Sequence, residues 1–328
     1  MFFGTYLTGA FGQSQELPRV KNREKRGKGS IEEVKQQIRE DTEAVIREQE
    51  AAGLDFVIDP AFWQYDLFQS LGNIPQIVRS RKHENWFDNN LFYRWHLSIA
   101  APLPATTGWL ERDLPLDLLP KDGKFMAILP SPYSIITLCN ISGYQNKRSA
   151  VQDLAELIRA EALHLVSLGA GRIQYDEPAI VQKQSLGSLE QEDLELLKTA
   201  LEICGTLPGI ATSLHTYFGN AGPLLPFLKN LPVGCLGIDC RKTNLSSILQ
   251  QDFSGKELAL GLVDARNTDP EEPEELVVQL QKVAEQCHPT KLWLTPTTGT
   301  ETIGYTHGIK KIEILKETKR LFYEKNPK

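Results

Sequence analysis

Short apolar runs alternate with longer amphipathic segments from residue 125 to the end of the chain. Short apolar runs are typical of buried strands, whereas apolar residues that recur every three or four positions indicate helices. Strands are therefore predicted at 125–130, 172–175, 210–215, 235–239, 258–263 and 291–294. Helices are predicted at 149–168, 189–204, 221–230, 245–251, 273–287 and 309–325. This alternation predicts βαβ units that pair into a parallel sheet.

The first 124 residues repeat this alternation less regularly. Three further strands are predicted, at 2–8, 54–59 and 94–100. A long helix is predicted at 30–52, with Ser30 as its N-cap and Glu33 at the capping-box position. The repeated β-then-α alternation favours a closed (β/α)8 TIM barrel over an open sheet. We expect one domain over residues 1–328, with residues 61–124 as a large insertion after strand two that lies over the barrel mouth.

Composition and charge restrict the class of function. Hydrophobic residues make up 41% of the chain and charged residues 24%, as in ordinary globular proteins. The formal net charge of −6 disfavours nucleic acid or an acidic membrane surface as a partner. The five cysteines show no paired spacing, which is typical of a reducing compartment, and no apolar run is long enough to span a membrane. A cytoplasmic protein that acts on a small-molecule substrate is therefore expected.

Polar residues follow the ends of six predicted strands. Active sites of barrels form where the carboxyl ends of the strands meet, so these residues are expected to surround one ligand site. The candidates are Asp59, Asp176 with Glu177, His215 with Tyr217, Asp239, Asp264 with Arg266, and the threonine-rich segment 295–299. Two tryptophans of the insertion, Trp63 and Trp86, would then form a stacking wall for a flat ligand.

Each candidate also has a purely structural interpretation. An acid after a strand often caps the next helix, which would explain Asp239. Asp264 and Arg266 could pair with each other, His215 could be a buried core histidine, and the tryptophans could simply pack the insertion. The two consecutive acids at 176–177 favour function more strongly, because side chains alternate along a strand and one of the two must point toward the barrel axis.

Several segments resemble the cobalamin-independent methionine synthase family over nearly the whole chain. Residues 173–179 (Ile-Gln-Tyr-Asp-Glu-Pro-Ala) resemble the family's segment whose aspartate holds the homocysteine amino group. Residues 8–14 resemble its opening loop, and residues 50–55 resemble its entry into strand two. Other segments look more like the metal-free amino-terminal barrel of that enzyme than its zinc-bearing carboxy-terminal barrel; they are 62–66, 86–90, 216–219 and 261–267.

The resemblance implies a catalytic zinc site made of a histidine, a cysteine two residues later, a glutamate on the next strand and a second cysteine after the last strand. Here His215 matches the histidine, whereas Tyr217, Asp239 and approximately Thr298 stand at the other positions. Both thiolates are therefore missing, and no zinc site of the family type is expected. If any metal is bound, His215 and Asp239 are its candidate ligands, with Asp176 as a further donor.

Three functions remain open. The first, which the resemblance implies, is methyl transfer to a thiol such as homocysteine in methionine biosynthesis. Asp176 would anchor the substrate amine, His215 would shuttle a proton, Tyr217 and Asp239 would orient it, and a folate or corrinoid would donate the methyl group. The expected substrate-binding residues are Asp176, Glu177, Asp264, Arg266, Asp59, Trp63 and Trp86.

The second function is non-catalytic. The barrel would bind a folate-like ligand, or dock onto a separate catalytic methionine synthase barrel as the amino-terminal half does in the full-length enzyme. The third is another reaction on the same scaffold, such as the decarboxylation carried out by uroporphyrinogen decarboxylase relatives. That reaction needs arginines at the barrel mouth, and the basic cluster at 79–82 is the local candidate.

Overall fold

The structure, a computed structural model, describes residues 2–64, 66–84, 87 and 93–326, with the side chains of 81–84 and 93–95 left out. The strands are β1 (Phe2–Thr5), β2 (Ile77–Glu84), β3 (Tyr93–Ile99), β4 (Phe125–Pro130), β5 (Ala170–Asp176), β6 (Ala211–Thr216), β7 (Cys235–Asp239), β8 (Glu257–Val263) and β9 (Lys291–Pro296). The helices are α1 (Glu16–Lys25), α2 (Ile31–Ala51), α3 (Pro132–Leu138), α4 (Lys147–Ser167), α5 (Ala179–Ser185), α6 (Gln191–Cys204), α7 (Leu225–Leu228), α8 (Leu245–Leu249), α9 (Pro273–Cys287) and α10 (Gly304–Lys325).

Seven strands form one curled parallel sheet in the order β1-β9-β8-β7-β6-β5-β4. Helices alternate with these strands, as the sequence pattern predicts, because each buried strand needs an amphipathic helix to cover its outer face. The carboxyl ends of all seven strands lie at the same edge. The α/β class of the prediction is therefore confirmed.

The predicted strand at 54–59 is reduced to a single bridge between the two outer strands of this sheet. Val57 forms a parallel bridge with Phe125 in β4, and the amide of Asp55 donates a hydrogen bond to the carbonyl of Thr5 in β1, at 2.9 Å. The pairing goes no further because side chains bind the neighbouring backbone groups. Gln49 makes hydrogen bonds with both the amide and the carbonyl of Ile58, each at 3.0 Å.

The predicted strand at 94–100 exists as β3, but its place in the parallel sheet was wrong. It pairs antiparallel with β2 in a separate two-stranded sheet, with Ile77 opposite Ile99. Both of these residues are buried, whereas Val78 is half exposed, so the hairpin covers the domain with one face only. The sequence did not predict β2, because most of its residues are charged or polar.

The long α2 helix begins where the sequence predicts. The Ser30 hydroxyl accepts a hydrogen bond from the amide of Glu33 at 3.1 Å, which satisfies one of the free N–H groups of the first turn. By contrast, α10 begins at Gly304, five residues before the predicted start. Among the described residues, no helix combines the length and apolar character that crossing a membrane requires.

A charged layer fills the sheet interior at the amino ends of the strands. Arg172 in β5 is almost fully buried, and its Nη1 donates to Oε2 of Glu257 at the start of β8, at 2.8 Å. Lys291 and the Trp293 indole contact the same carboxylate at 2.9 and 3.0 Å. The guanidinium also lies within 6 Å of three aromatic ring centres, so this buried charge has both ionic and cation–π partners.

Candidate functional site

A cavity of about 480 Å³ opens at the carboxyl ends of the strands. A volume of this size is typical of sites for small molecules. Its ionisable carboxyl groups are Asp59, Asp66, Asp176 and Glu301. Its aromatic residues are Phe11, Phe62, Trp109, Phe125, Tyr217 and Phe218. The other lining residues include Gly9, Ala10, Gln13, Ala61, Gln64, Leu67, Ser70, Leu110, Leu114, Met126, Ala127, Ile128, Pro130, Thr298 and Gly299.

Asp176 is the last residue of β5 and lies in the wall of this cavity. Its Oδ1 accepts a hydrogen bond from Gln174 Nε2 at 2.8 Å, and its Oδ2 accepts one from the Tyr217 hydroxyl at 3.2 Å. Burial raises the pKa of Asp176 to about 7, even though both hydrogen bonds favour the ionised form. The two hydrogen bonds thus fix the orientation of the carboxyl group, and a cationic ligand beside it would favour its ionised form.

Glu301 lies close to Asp176 in the loop after β9. Its Oε2 is buried without a hydrogen-bond partner among the described residues, against the backbone of Gly299. Burial raises the pKa of Glu301 to about 7, and the nearby charge of Asp176 adds to the shift. The sequence did not mark this residue as a candidate, because it lies five residues beyond the last strand position; an acid in a loop after a strand is a weak signal.

Asp59 and Asp66, at the end of the 54–59 segment and shortly after it, also line the cavity. The Ala61 amide donates to Oδ1 of Asp59 at 3.1 Å, and the Phe68 amide donates to Oδ1 of Asp66 at 2.9 Å. Burial raises the pKa of Asp59 to about 7 and that of Asp66 to about 6. Oδ2 of Asp66 is buried without a partner in the described structure. Among the described residues, no ion pair joins a cation to either carboxyl, although the charge of Arg79 lowers the pKa of Asp66.

Trp109 is the described tryptophan that lines the cavity, and the sequence did not single it out. Its side chain is 3% exposed, and its indole Nε1 is buried without a hydrogen-bond partner among the described residues. A carboxylate on α4 holds its loop in place. Glu161 accepts hydrogen bonds from the amides of Gly108, Leu110 and Glu111 at 2.6, 2.9 and 3.3 Å.

The two predicted tryptophans have other positions. Trp63 is partly buried against the hydrophobic core and is not among the cavity-lining residues, and its carbonyl accepts a hydrogen bond from Gln69 at 3.2 Å. Trp86 falls outside the described residues. The stacking role of both residues stays a prediction.

His215 lies inside the sheet, next to the cavity but not in its described lining. Its Nε2 is 3.1 Å from the carbonyl of Thr297, so the ring donates its proton there. Its Nδ1 faces Gly237, where a Cβ atom would lie only 2.1 Å away. Burial lowers the pKa of His215 to about 4, although the hydrogen bond to the Thr297 carbonyl opposes this shift. The imidazole is therefore neutral near pH 7, with both nitrogens against backbone.

Asp239 and Glu177 each satisfy backbone amides. Asp239 Oδ1 accepts from the amides of Arg241 and Lys242 at 2.9 and 3.1 Å, which shapes the turn after β7. Glu177 Oε1 accepts from the Ile180 amide at 2.9 Å at the start of α5 and from the Ser134 hydroxyl at 2.8 Å. Both side chains are buried, and neither lines the cavity.

Asp264 and Arg266 lie together on the rim, as one interpretation of the sequence expects. Arg266 Nε is 4.0 Å from Asp264, its Nη2 is 3.5 Å from Asp239, and its guanidinium carbon lies 5.6 Å from the ring centre of Phe218. Arg241 also reaches Asp264, at 3.8 Å. None of these four charged residues is in the described lining of the cavity, and the charge of Arg266 is shared between two carboxylates.

The donors at the expected zinc positions do not fit a zinc ion. Tyr217 and Thr298 replace the two thiolates, and the imidazole of His215 has its Nε2 proton on a carbonyl. The carboxylate of Asp239 already accepts four hydrogen bonds or ion-pair contacts. In the described part of the chain, no group of three or more His, Cys, Asp or Glu side chains is arranged to hold a metal ion.

Comparison with known proteins identifies two matching sequence profiles of one family. The profile described as "Cobalamin-independent synthase, N-terminal domain" matches residues 119–288, which is more than half of the chain. The profile described as "Cobalamin-independent synthase, Catalytic domain" matches residues 3–86. The two matches together cover most of the strands that surround the cavity. The chain thus combines segments similar to each half of that enzyme.

Whole-length relatives agree with these profiles. The chain is 24% identical to the methionine synthase of Pyrococcus horikoshii over 301 residues, which cover 90% of this chain and 85% of that protein. It is 22% identical to the methionine synthase of Sulfolobus acidocaldarius over 317 residues, covering 94% and 88%. The structure of a B12-independent methionine synthase from Shewanella, in complex with selenomethionine, has a TM-score of 0.73 at 16% identity and 99% coverage of both chains.

Proposed function

Because the chain belongs to the cobalamin-independent synthase family, we propose that it is a methyltransferase that acts on a small substrate in the 480 Å³ cavity. The acceptor is a thiol such as homocysteine, and the product belongs to methionine biosynthesis. We also propose that residues 54–59 form the eighth strand of a TIM barrel and close the seven-stranded sheet. Their backbone hydrogen bonds reach both of its outer strands, β1 and β4.

The observation that carries this proposal is the carboxyl group of Asp176. It lies at the carboxyl end of a central strand, in the cavity wall, with one oxygen bonded to Gln174 and the other to Tyr217. An ammonium group that approached it would form a charge-assisted hydrogen bond to an acceptor that is already oriented. Asp176 therefore anchors the substrate amine, and Tyr217 is a positioning residue for it.

The thiol proton has acceptors in the cavity itself. The site lacks the thiolates with which the family's zinc is bound, so no step is assigned to a metal. Asp59 and Glu301 line the cavity, and burial places the pKa of each near 7, which suits a general base at neutral pH. His215 is less well placed, because both of its nitrogens face backbone and its pKa is lowered to about 4.

The other predicted residues have supporting roles in this proposal. Asp239 and Glu177 hold the loops after β7 and β5, and Asp264 with Arg266 forms the rim. The methyl donor, a folate or a corrinoid, enters through the open mouth. The predicted stacking of Trp63 and Trp86 on this donor is part of the proposal.

Methyl transfer can be tested directly. The purified protein is incubated with homocysteine and either methyltetrahydrofolate or methylcobalamin, and methionine is measured by mass spectrometry. We expect Asp176→Asn to lower kcat/KM by about 100-fold, since it removes the charge that anchors the amine. Asp252→Asn, an exposed carboxylate before the amino end of β8, is the matched control.

Two results would contradict the proposal. The first is no methionine from either donor, with or without added zinc. The second is one zinc per chain in the protein purified without chelator, because the metal-independent proton transfer would then be wrong and His215 and Asp239 would be the ligands to replace.

A second candidate function is a non-catalytic one. The amino-terminal-domain profile covers residues 119–288, and both thiolate positions carry other residues, Tyr217 and Thr298. A barrel of this kind would bind a folate-like ligand or dock onto a separate catalytic barrel. Folate binding without turnover, or a stable complex with a zinc-bearing methionine synthase chain in size-exclusion chromatography, would favour this alternative.

A further inference from the structure

Phe218 lies in the cavity wall with a backbone conformation that bulky residues seldom adopt. Its φ is 66°, in the left-handed region, where the Cβ atom crowds the following carbonyl oxygen. Three non-glycine residues in the described part of the chain have a positive φ, and two of them, Ala61 and Phe218, line the cavity. For an aromatic side chain this conformation persists only where neighbouring groups hold it in place.

The carboxylate of Asp239 holds the backbone of Phe218. Its Oδ2 accepts a hydrogen bond from the Phe218 amide at 3.3 Å, while its Oδ1 accepts from the amides of Arg241 and Lys242. Asp239 is buried at the end of β7, which pairs with β6. The hydrogen bond therefore ties the turn after β6 to the end of the neighbouring strand.

Arg266 contacts both this carboxylate and the Phe218 ring. Its Nη2 lies 3.5 Å from Oδ2 of Asp239, the same oxygen that binds the Phe218 amide, and its guanidinium carbon lies 5.6 Å from the ring centre. The face of an aromatic ring attracts a cation through its quadrupole. The Arg266 amide donates to Oδ1 of Asp264 at 3.0 Å, which fixes the backbone from which the guanidinium extends.

These contacts restrict Tyr217, the residue before Phe218. The Phe218 amide belongs to the peptide group that joins the two residues, so its hydrogen bond to Asp239 also fixes ψ of Tyr217. The two rings pack edge to face, with their centres 4.8 Å apart. The Tyr217 hydroxyl then lies 3.2 Å from Oδ2 of Asp176, to which it donates.

We infer that Arg266 and Asp239 are positioning residues for the carboxyl group of Asp176. They hold Phe218 in its left-handed conformation, and Phe218 in turn holds the Tyr217 hydroxyl on Asp176. The inference rests on the proposed function in taking Asp176 as the group that binds the substrate amine. Neither Arg266 nor Asp239 is in the described lining of the cavity, so both act through Phe218 and Tyr217.

Fluorine NMR of protein labelled with 3-fluorotyrosine reports on Tyr217 with or without turnover. The chain has nine tyrosines, and the Tyr217 resonance is the one that Tyr217→Phe removes. Asp176→Leu gives the position of this resonance without the hydrogen-bond acceptor. We expect Arg266→Met to move the Tyr217 resonance toward that reference and to leave the other resonances in place. Arg266→Lys keeps a cation near Asp239 and should restore most of the original position.

Arg241→Met is the matched control. Arg241 lies on the same rim, and its side chain pairs with Asp264 and Glu271 at 3.8 and 3.4 Å. Its contact with Asp239 is made by the backbone amide, which the substitution retains. We expect the Tyr217 resonance to stay in place in this variant, because the hydrogen bond between Asp239 and Phe218 does not depend on the Arg241 side chain.

Titration calorimetry with homocysteine measures the consequence for substrate binding. We expect Arg266→Met to weaken the affinity about tenfold, as the loss of one oriented hydrogen bond allows. In the Tyr217→Phe background the same substitution should have no further effect, because the hydroxyl that Arg266 positions is already absent. A general folding defect would instead weaken binding equally in both backgrounds.

The inference is overturned if the Tyr217 resonance keeps its position in Arg266→Met, or if Arg241→Met moves it equally. It is also overturned if Arg266→Met weakens homocysteine binding equally with and without the Tyr217 hydroxyl. If homocysteine does not bind at all, the resonance decides alone. A displaced resonance in a protein that forms no methionine leaves the inference standing and removes methyl transfer, whereas methionine formation with an unmoved resonance has the opposite meaning.

Discussion

The two ends of the sheet interior treat buried charge in opposite ways. At the amino ends, Arg172 and Lys291 both contact Glu257, and the Trp293 indole donates to the same carboxylate. Burial alone would raise the pKa of Glu257, but these partners lower it below its ordinary value. At the carboxyl ends, the described hydrogen-bond partners of Asp176, Gln174 and Tyr217, are uncharged, and burial raises the pKa of Asp176 to about 7.

Strand β5 contributes a residue to each of these two charged regions. Residues at alternate positions of a strand point to the same face, and in β5 these are Arg172, Gln174 and Asp176. The row begins with a cation that forms an ion pair with Glu257 and ends with an acid whose hydrogen-bond donors, Gln174 and Tyr217, are uncharged. The structural ion pair and the acid that we propose binds the substrate therefore differ in what compensates their charge, although both are buried.

The largest effect should come from removing the cation at the amino end. Arg172→Met leaves Glu257 buried with Lys291 as its remaining cation, and we expect a loss of about 3–5 kcal/mol in the free energy of unfolding, measured in urea at pH 7. Lys291→Met is the control, because Lys291 is half exposed and should cost less than about 1 kcal/mol. Equal losses in the two variants would show that the burial of Arg172 does not determine how much its ion pair with Glu257 contributes to stability.

At the carboxyl ends of the strands, removing a charge should instead increase the free energy of unfolding. The pKa of Asp59 in the folded protein is about 7, above its unfolded value near 4. The unfolded chain therefore releases this proton first, and the contribution of Asp59 to stability falls as the pH rises from about 4 to 7. Asp59→Asn keeps the oxygen that accepts from Ala61 and removes the charge.

We therefore expect Asp59→Asn to stabilise the ligand-free protein by roughly 4 kcal/mol at pH 8 and to leave its stability nearly unchanged at pH 4. Urea unfolding at both pH values measures this difference. The low pKa of His215 acts in the other direction, since its contribution is lost as the pH falls from about 6.5 toward 4, but it is common to both proteins and cancels in the comparison. Asp117→Asn, an exposed acid paired with Arg39, should show no such pH dependence.

Periodicity predicted the parallel sheet well, because its signal is local. Strand β7 (Cys235–Asp239) has the predicted bounds, since it is a short apolar run between polar turns. The first turn of α10 was missed because Gly304 and Gly308 oppose helix formation by propensity. Gly308 is needed there for packing, as a Cβ atom would lie 2.6 Å from the Phe11 ring. Tertiary contact, which the sequence does not display, decides this boundary.

The residues of the candidate site also differ in whether the sequence could predict them. Asp176 and Asp59 could be found, because they end predicted strands and the fold brings strand ends together. Glu301 and Trp109 could not, since each lies in a loop whose path depends on distant residues. For Trp109 the distant residue is Glu161, which the helix pattern marks only as one more charged position on α4.

The smallest effect should come from this link between α4 and the cavity wall. Glu161→Gln replaces one of the two carboxylate oxygens by an NH2 group, which cannot accept a hydrogen bond from the amides of Gly108, Leu110 or Glu111. We expect the free energy of unfolding to fall by roughly 1–2 kcal/mol. The Trp109 indole should then become more exposed, so the emission difference between this variant and the same variant with Trp109→Phe should shift to longer wavelength. Glu156→Gln, exposed on the same helix, is the matched control. Unchanged emission together with the expected loss of stability would mean that the loop keeps its path without Glu161. Glu161 would then stabilise the fold without shaping the cavity.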